Sequence, residues 1–179
     1  MTITPDTKDW TWILDRPCPE CGFDARSFDV REVGSMVRTA ATELEQLVAD
    51  DRAALRPVPE VWSALEYSAH VRDVFTLYSE RLALMLTTDD PLYENWDQDQ
   101  TALQQDYGSQ ESAAVASDLR EAAEKLAGEF DAVQGDEWER TGRRSDGARF
   151  TVESFARYFI HDPIHHVHDI RKGYTSLSA

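Results

Sequence analysis

The chain has 179 residues, enough for one domain with a sizeable core. Its 34 acidic residues against 18 basic ones give a net charge of −16, a surface that repels phosphate backbones and anionic lipid, which excludes nucleic acid and membranes as partners. The opening residues lack the basic start and apolar core of a secretory leader, and no apolar run approaches the ~18 residues of a membrane span, so a cytoplasmic location is expected.

Residues 1–28 read as an N-terminal extension, distinguished by the only two cysteines, in Cys18-Pro19-Glu20-Cys21-Gly22. One CxxC cannot supply four thiolates. It reads first as a tight turn, then as half of a mixed site completed by His166 and His168, and last as a redox pair, for which the βαβ context is missing. A bundle of helices is expected over 29–174. The first helix spans about 29–49, opened by Asp29 with Glu32 and striped by Val33, Met36, Val37, Ala40, Leu44 and Leu47. Pro57 and Pro59 then break the chain.

The second helix starts at Ser63, where Ser-x-x-Glu predicts a capping box with Glu66, and runs to about Leu86. Residues 87–108 are polar, acidic and interrupted by Pro91, which reads as a long crossover. A third helix covers about 110–130, with Val115, Leu119, Ala122 and Leu126 at helical spacing. An irregular hairpin over 138–150 turns at Asp146-Gly147. The fourth helix runs from Thr151 to about Arg171, with Gly173 as its stop. The fold class is therefore all-α, a four-helix bundle with a long connection between helices two and three, and such bundles build metal sites from inward side chains.

The chemistry concentrates in the histidines. His161 and His165 stand four residues apart, so they share one helical face, and His70 is the only histidine outside the 161–168 cluster. Three imidazoles from two helices, with an open fourth position, make a catalytic-type metal site. Asp73, Asp162 and Asp169 are candidates to accept the distal imidazole N–H groups. Arg143, Arg144 and Arg149 form the densest basic cluster, and Trp62, Tyr67 and Trp138 are candidate pocket walls, with core packing the alternative. Pro163 cannot donate to Phe159, which predicts a bend at 159–163, between the two ligands, with a helix start falling there the alternative.

The stretch Trp62-Ser63-Ala64-Leu65-Glu66-Tyr67-Ser68-Ala69-His70-Val71-Arg72-Asp73, the hairpin, and His161-Asp162-Pro163-Ile164-His165-His166 together resemble the DinB-like superfamily, which includes thiol-dependent S-transferases and the N-terminal domain of mycothiol-dependent maleylpyruvate isomerase. The cysteine-bearing extension resembles one seen in actinobacterial members. The resemblance implies an up-down-down-up bundle and a divalent metal, zinc or nickel, on His70, His161 and His165. It implies a thiol S-transferase that joins a mycothiol-like low-molecular-weight thiol to a small electrophile. A metal-dependent hydrolase and a non-catalytic, stress-associated metal-binding bundle are the alternatives, and the oligomeric state stays open, a homodimer included.

Overall fold

A computed structural model describes Ile3 and residues 9–178. The leader reading of the opening residues and the first part of the extension lie outside the described residues. Helix α1 is Val33–Val48, α2 Ala64–Thr87, α3 Gln98–Gln104, α4 Ser112–Asp131, α5 Val152–Phe159 and α6 His161–Leu177; strands β1 Leu92–Tyr93, β2 Thr141–Arg144 and β3 Arg149–Thr151 form a small sheet. The fold is thus mostly helical, and the all-α expectation is corrected by that sheet.

The core forms where the apolar stripes meet. Val33, Val37, Ala41, Leu44 and Val48 of α1 and Val115, Leu119, Leu126 and Phe130 of α4 are buried, and α4 packs along both α1 and α2. At Gly34 the two helices come so close that a Cβ would stand 2.9 Å from the Ala127 carbonyl oxygen. Asp29 caps a 3₁₀ turn at Val30–Glu32, accepting from the Arg31 amide at 3.1 Å, so the first regular helix starts a turn later than expected. The capping box of α2 forms as its sequence predicts. Ser63 Oγ accepts from the Glu66 amide at 3.2 Å, and the Glu66 carboxylate accepts from the Ser63 amide at 2.8 Å.

The crossover after α2 is more structured than its polar composition indicated. It contributes β1, which pairs parallel with β2, while β2 and β3 form the expected antiparallel hairpin. Gly147 adopts φ +100 at the turn, a conformation that favours glycine, and its N–H closes the turn by donating a hydrogen bond to the Arg144 carbonyl at 2.9 Å. The Asn95 amide donates to Ser145 Oγ at 2.8 Å, so crossover and hairpin form one wall.

The fourth helix differs most from expectation. It is two helices, interrupted at Ile160, whose amide still reaches the Ala156 carbonyl at 3.1 Å. Pro163 is the third residue of α6 and the carbonyl four residues back is that of Phe159, the last residue of α5, so its missing donor falls at the junction of the two helices. The interruption therefore precedes His161, and no bend separates residues 161 and 165. Helix α6 also continues past Gly173, because that glycine answers a packing need: a Cβ there would meet Pro57 Cγ at 3.3 Å.

Candidate metal centre

Because α6 starts at His161, its first two turns present donors in two interleaved i,i+4 pairs, 161 with 165 and 162 with 166. The pairs face different neighbours. One ligand atom from each of His70, Asp162 and His166 can lie within 4.8 Å of the other two, and the same holds among Cys18, Cys21, His161 and His165. The expected triad of His70, His161 and His165 is therefore not brought together as one group. A turn of 100° per residue sends 161 and 165 toward the N-terminal extension, whereas 162 and 166 face α2 and His70.

In the first group, Asp162 Oδ2 lies 3.4 Å from His70 Nε2 and 3.5 Å from His166 Nε2. Donors on a tetrahedral ion with bonds of ~2.0–2.2 Å stand ~3.3–3.6 Å apart, so this spacing suits one small divalent cation. Asp162 Oδ1 is buried without a hydrogen-bond partner, an orphan that a cation would satisfy. His166 Nδ1 lies 3.0 Å from Asp169 Oδ2, which fixes the ring with Nε2 toward the other donors. Burial alone would push His166 down, yet Asp162 and Asp169 outweigh it and hold the imidazole at about 10. Burial would likewise raise the Asp162 carboxyl, and His166 with His70 instead keeps it well below the carboxylate range. The pocket thus demands positive charge, met by a proton or by a cation.

Trp96 stacks on His70 with ring centres 5.4 Å apart, Trp62 packs on it at 5.2 Å, and Tyr67 covers His166 at 4.8 Å. These rings border a cleft of about 910 Å³ that also reaches Tyr78, Arg81, Arg144 and Tyr158. Arg144 is held by Asp146 at 2.8 Å and the Tyr158 hydroxyl at 3.2 Å. Arg81 is buried over Tyr93, its ring centre 4.8 Å away, and donates to the Glu94 carbonyl at 2.6 Å.

The other candidates fall elsewhere. Asp73 is engaged by Arg72 at 2.9 Å and the Tyr107 hydroxyl at 2.5 Å, so it braces the wall behind Trp62. Arg143 pairs with Asp90 and Arg149 is exposed, which leaves Arg144 as the hairpin cation of the cleft. Trp138 stacks on Phe130 in the core. The histidines that stand within reach of the cysteine pair are His161 and His165, not His166 and His168. Burial pushes the Cys21 thiol up to about 11, the reverse of what a redox thiolate needs. Burial, then His165, pushes His161 down to about 4. Sequence reasoning named Asp162 and His166 in other roles and missed their grouping with His70, although their i,i+4 spacing was visible, and missed Arg81 and Trp96, which carry no local signal.

No curated protein matches the sequence significantly. In structure the chain is similar to YfiT from Bacillus subtilis, described as "a probable metal-dependent hydrolase with an unusual four-helix bundle topology", with a TM-score of 0.77 and 15% identity over 86% of this chain and 91% of that one. At that identity the likeness shows the fold. The sequence profile of the DinB superfamily matches residues 34–170, a span that holds His70, Asp162 and His166 and leaves Cys18 and Cys21 outside. The chain belongs to the DinB superfamily.

Proposed function

We propose that the protein is a metal-dependent enzyme in which His70, Asp162 and His166 hold a divalent cation, zinc or nickel, and that it transfers a low-molecular-weight, mycothiol-like thiol onto a small electrophile. The observation that carries this reading is the 3.4 and 3.5 Å spacing of three donors, two of which, Asp162 and His166, line an open cleft while His70 stands buried behind them. A cation there would lower the pKa of a thiol or water at its remaining position. Asp169 orients His166, the aromatic rings of Trp62, Trp96 and Tyr67 exclude water around the imidazoles, and Arg81 with Arg144 would anchor an anionic group of the substrate.

The choice of a thiol rests on what surrounds the donors. Asp169 and Asp146, two of the carboxylates that border the cleft, are committed to His166 and Arg144 and so are less able to take a proton from water. A thiol ionises more readily and depends less on such a base. Hydrolysis is the second reading, favoured by the donor set itself: two histidines and one carboxylate ligate the zinc of several hydrolases. The bundle is taken as up-down-down-up, since the connection across 88–111 is long enough to return the chain.

The test is a thiol screen on metal-loaded, full-length protein, with mycothiol, bacillithiol, glutathione and cysteine offered to monochlorobimane, beside p-nitrophenyl acetate without thiol. Conjugation that requires one thiol and vanishes in Asp162→Ala supports the transferase. Ester cleavage with no thiol requirement favours the hydrolase, and silence in both arms sinks the enzymatic reading.

A further inference from the structure

The cysteines of the extension and the first histidine pair of α6 take no part in the chemistry just described, yet they converge. We propose that Cys18, Cys21, His161 and His165 form a separate tetrahedral zinc site that clips the N-terminal segment onto the start of α6. The donor set is one of the standard structural combinations, two thiolates and two imidazoles.

The geometry fits an ion between them. Cys18 Sγ lies 3.6 Å from His165 Nδ1 across 147 residues of sequence. With zinc bonds of ~2.3 Å to sulfur and ~2.0–2.1 Å to nitrogen, the sulfur–nitrogen edge of a tetrahedron is ~3.5–3.6 Å. Both cysteines are free thiols, Cys18 buried and Cys21 half-buried. The backbone carrying them is already folded as a knuckle. The Gly22 amide donates to the Cys18 carbonyl at 2.9 Å, the Cys18 amide donates to the Phe23 carbonyl at 2.8 Å, and Gly22 takes φ +78, a conformation that favours glycine.

A second, independent observation points to a ligand. His161 is 5% exposed, and its Nε2 is a buried ring nitrogen with no hydrogen-bond partner among the described residues. A buried nitrogen left so costs free energy unless something outside the chain binds it. The second nitrogen of His165, Nε2, faces Asp169 Oδ1 at 3.7 Å, a charge contact longer than a hydrogen bond.

The surroundings decide between a structural and a reactive site. Trp10 covers both imidazoles with ring centres at 5.4 Å, and Phe23 covers His161 at 5.5 Å. Four protein donors fill a tetrahedron, so no position is left for substrate. The clip meets the cleft: Trp10, Glu20 and the two imidazoles, His161 and His165, border the same cavity as Asp162 and His166. Zinc here therefore sets one wall of the cleft from outside the family-matched span.

The test uses full-length protein expressed with zinc and then exchanged into cobalt. Elemental analysis should find one metal equivalent lost in Cys18→Ser/Cys21→Ser, and the cobalt form of the wild type should show the intense near-ultraviolet sulfur-to-cobalt charge-transfer band. Asp162→Ala should retain that band, which separates this site from the cleft donors. Should the double variant fail to fold, His161→Gln should weaken the band in an otherwise helical protein. Wild-type protein without the thiolate band, or with both cysteines alkylated rapidly in the native, zinc-replete state, would overturn the proposal whatever the cleft does.

Discussion

Around His161 and His165 the protein supplies four donors, enough to fill a tetrahedron, with Trp10 and Phe23 against the rings, although both imidazoles also border the cleft. One residue further along the same helix, Asp162 and His166 meet a single donor from α2 and then open cleft. The same helical spacing thus yields a closed, four-donor group on one face and an open, three-donor group on the next. What separates them is the partner element. The extension brings sulfur and an aromatic cover, whereas α2 brings one imidazole and leaves a mouth lined by Arg81 and Arg144. Spacing along a helix chooses which residues can cooperate; the element packed opposite chooses what their cooperation is for.

The largest effect expected from breaking this contrast is at Asp162. Asp162→Ala should remove the cleft metal and cut turnover by ~10³-fold or more, as for a member of a catalytic unit, with one metal equivalent kept on the cysteines. Retention of full activity in that variant would refute the assignment of the open group. Next in size, Cys18→Ser should lower Tm and expose residues 9–28 to limited proteolysis while the bundle stays helical by circular dichroism. An unchanged cleavage pattern would show that the extension is held by packing alone.

Chelation sharpens the contrast without mutation. The open group should surrender its metal to EDTA within the time that the closed group keeps most of its own, giving a biphasic release followed by elemental analysis. Single-phase loss of both equivalents would remove the distinction. A smaller effect is expected for Asp169→Asn, ~10–100-fold in metal affinity, because the carboxylate orients the His166 imidazole rather than binding the ion. The smallest is for Pro163→Ala. Pro163 stands in the first turn of α6, where proline is well tolerated, so thermal stability should change by less than ~0.5 kcal/mol with metal content unaltered.

The elements legible in the sequence are those whose causes are local. The Ser63–Glu66 capping box, the stripe of α1, the helical period of α4 and the Asp146-Gly147 turn each act within a few residues, and each forms. The sheet was hidden because β1 has two residues and exists only by pairing with β2 some fifty positions away. At the site, His70 and the 161–166 stretch were visible as a source of donors, but their grouping was not. Two i,i+4 pairs overlap there, and only the rotation of α6 against α2 and the extension tells them apart. Histidine pairs attract notice more readily than an aspartate with a histidine, which drew the reading toward 161 and 165. Arg81 and Trp96 had no pattern to find, since the fold alone carries them to the cleft.

Asp169 stands between the two groups, hydrogen-bonded through Oδ2 to His166 Nδ1 at 3.0 Å and in a longer charge contact through Oδ1 with His165 Nε2 at 3.7 Å. A single carboxylate cannot rotate toward one imidazole without leaving the other. Whatever draws it nearer His166, such as a change of charge in the cleft, loosens its hold on His165, and the reverse follows by thermodynamic reciprocity. The two groups are therefore not independent compartments, and a titration of one with metal should shift the midpoint of the other by the same factor in either order of addition.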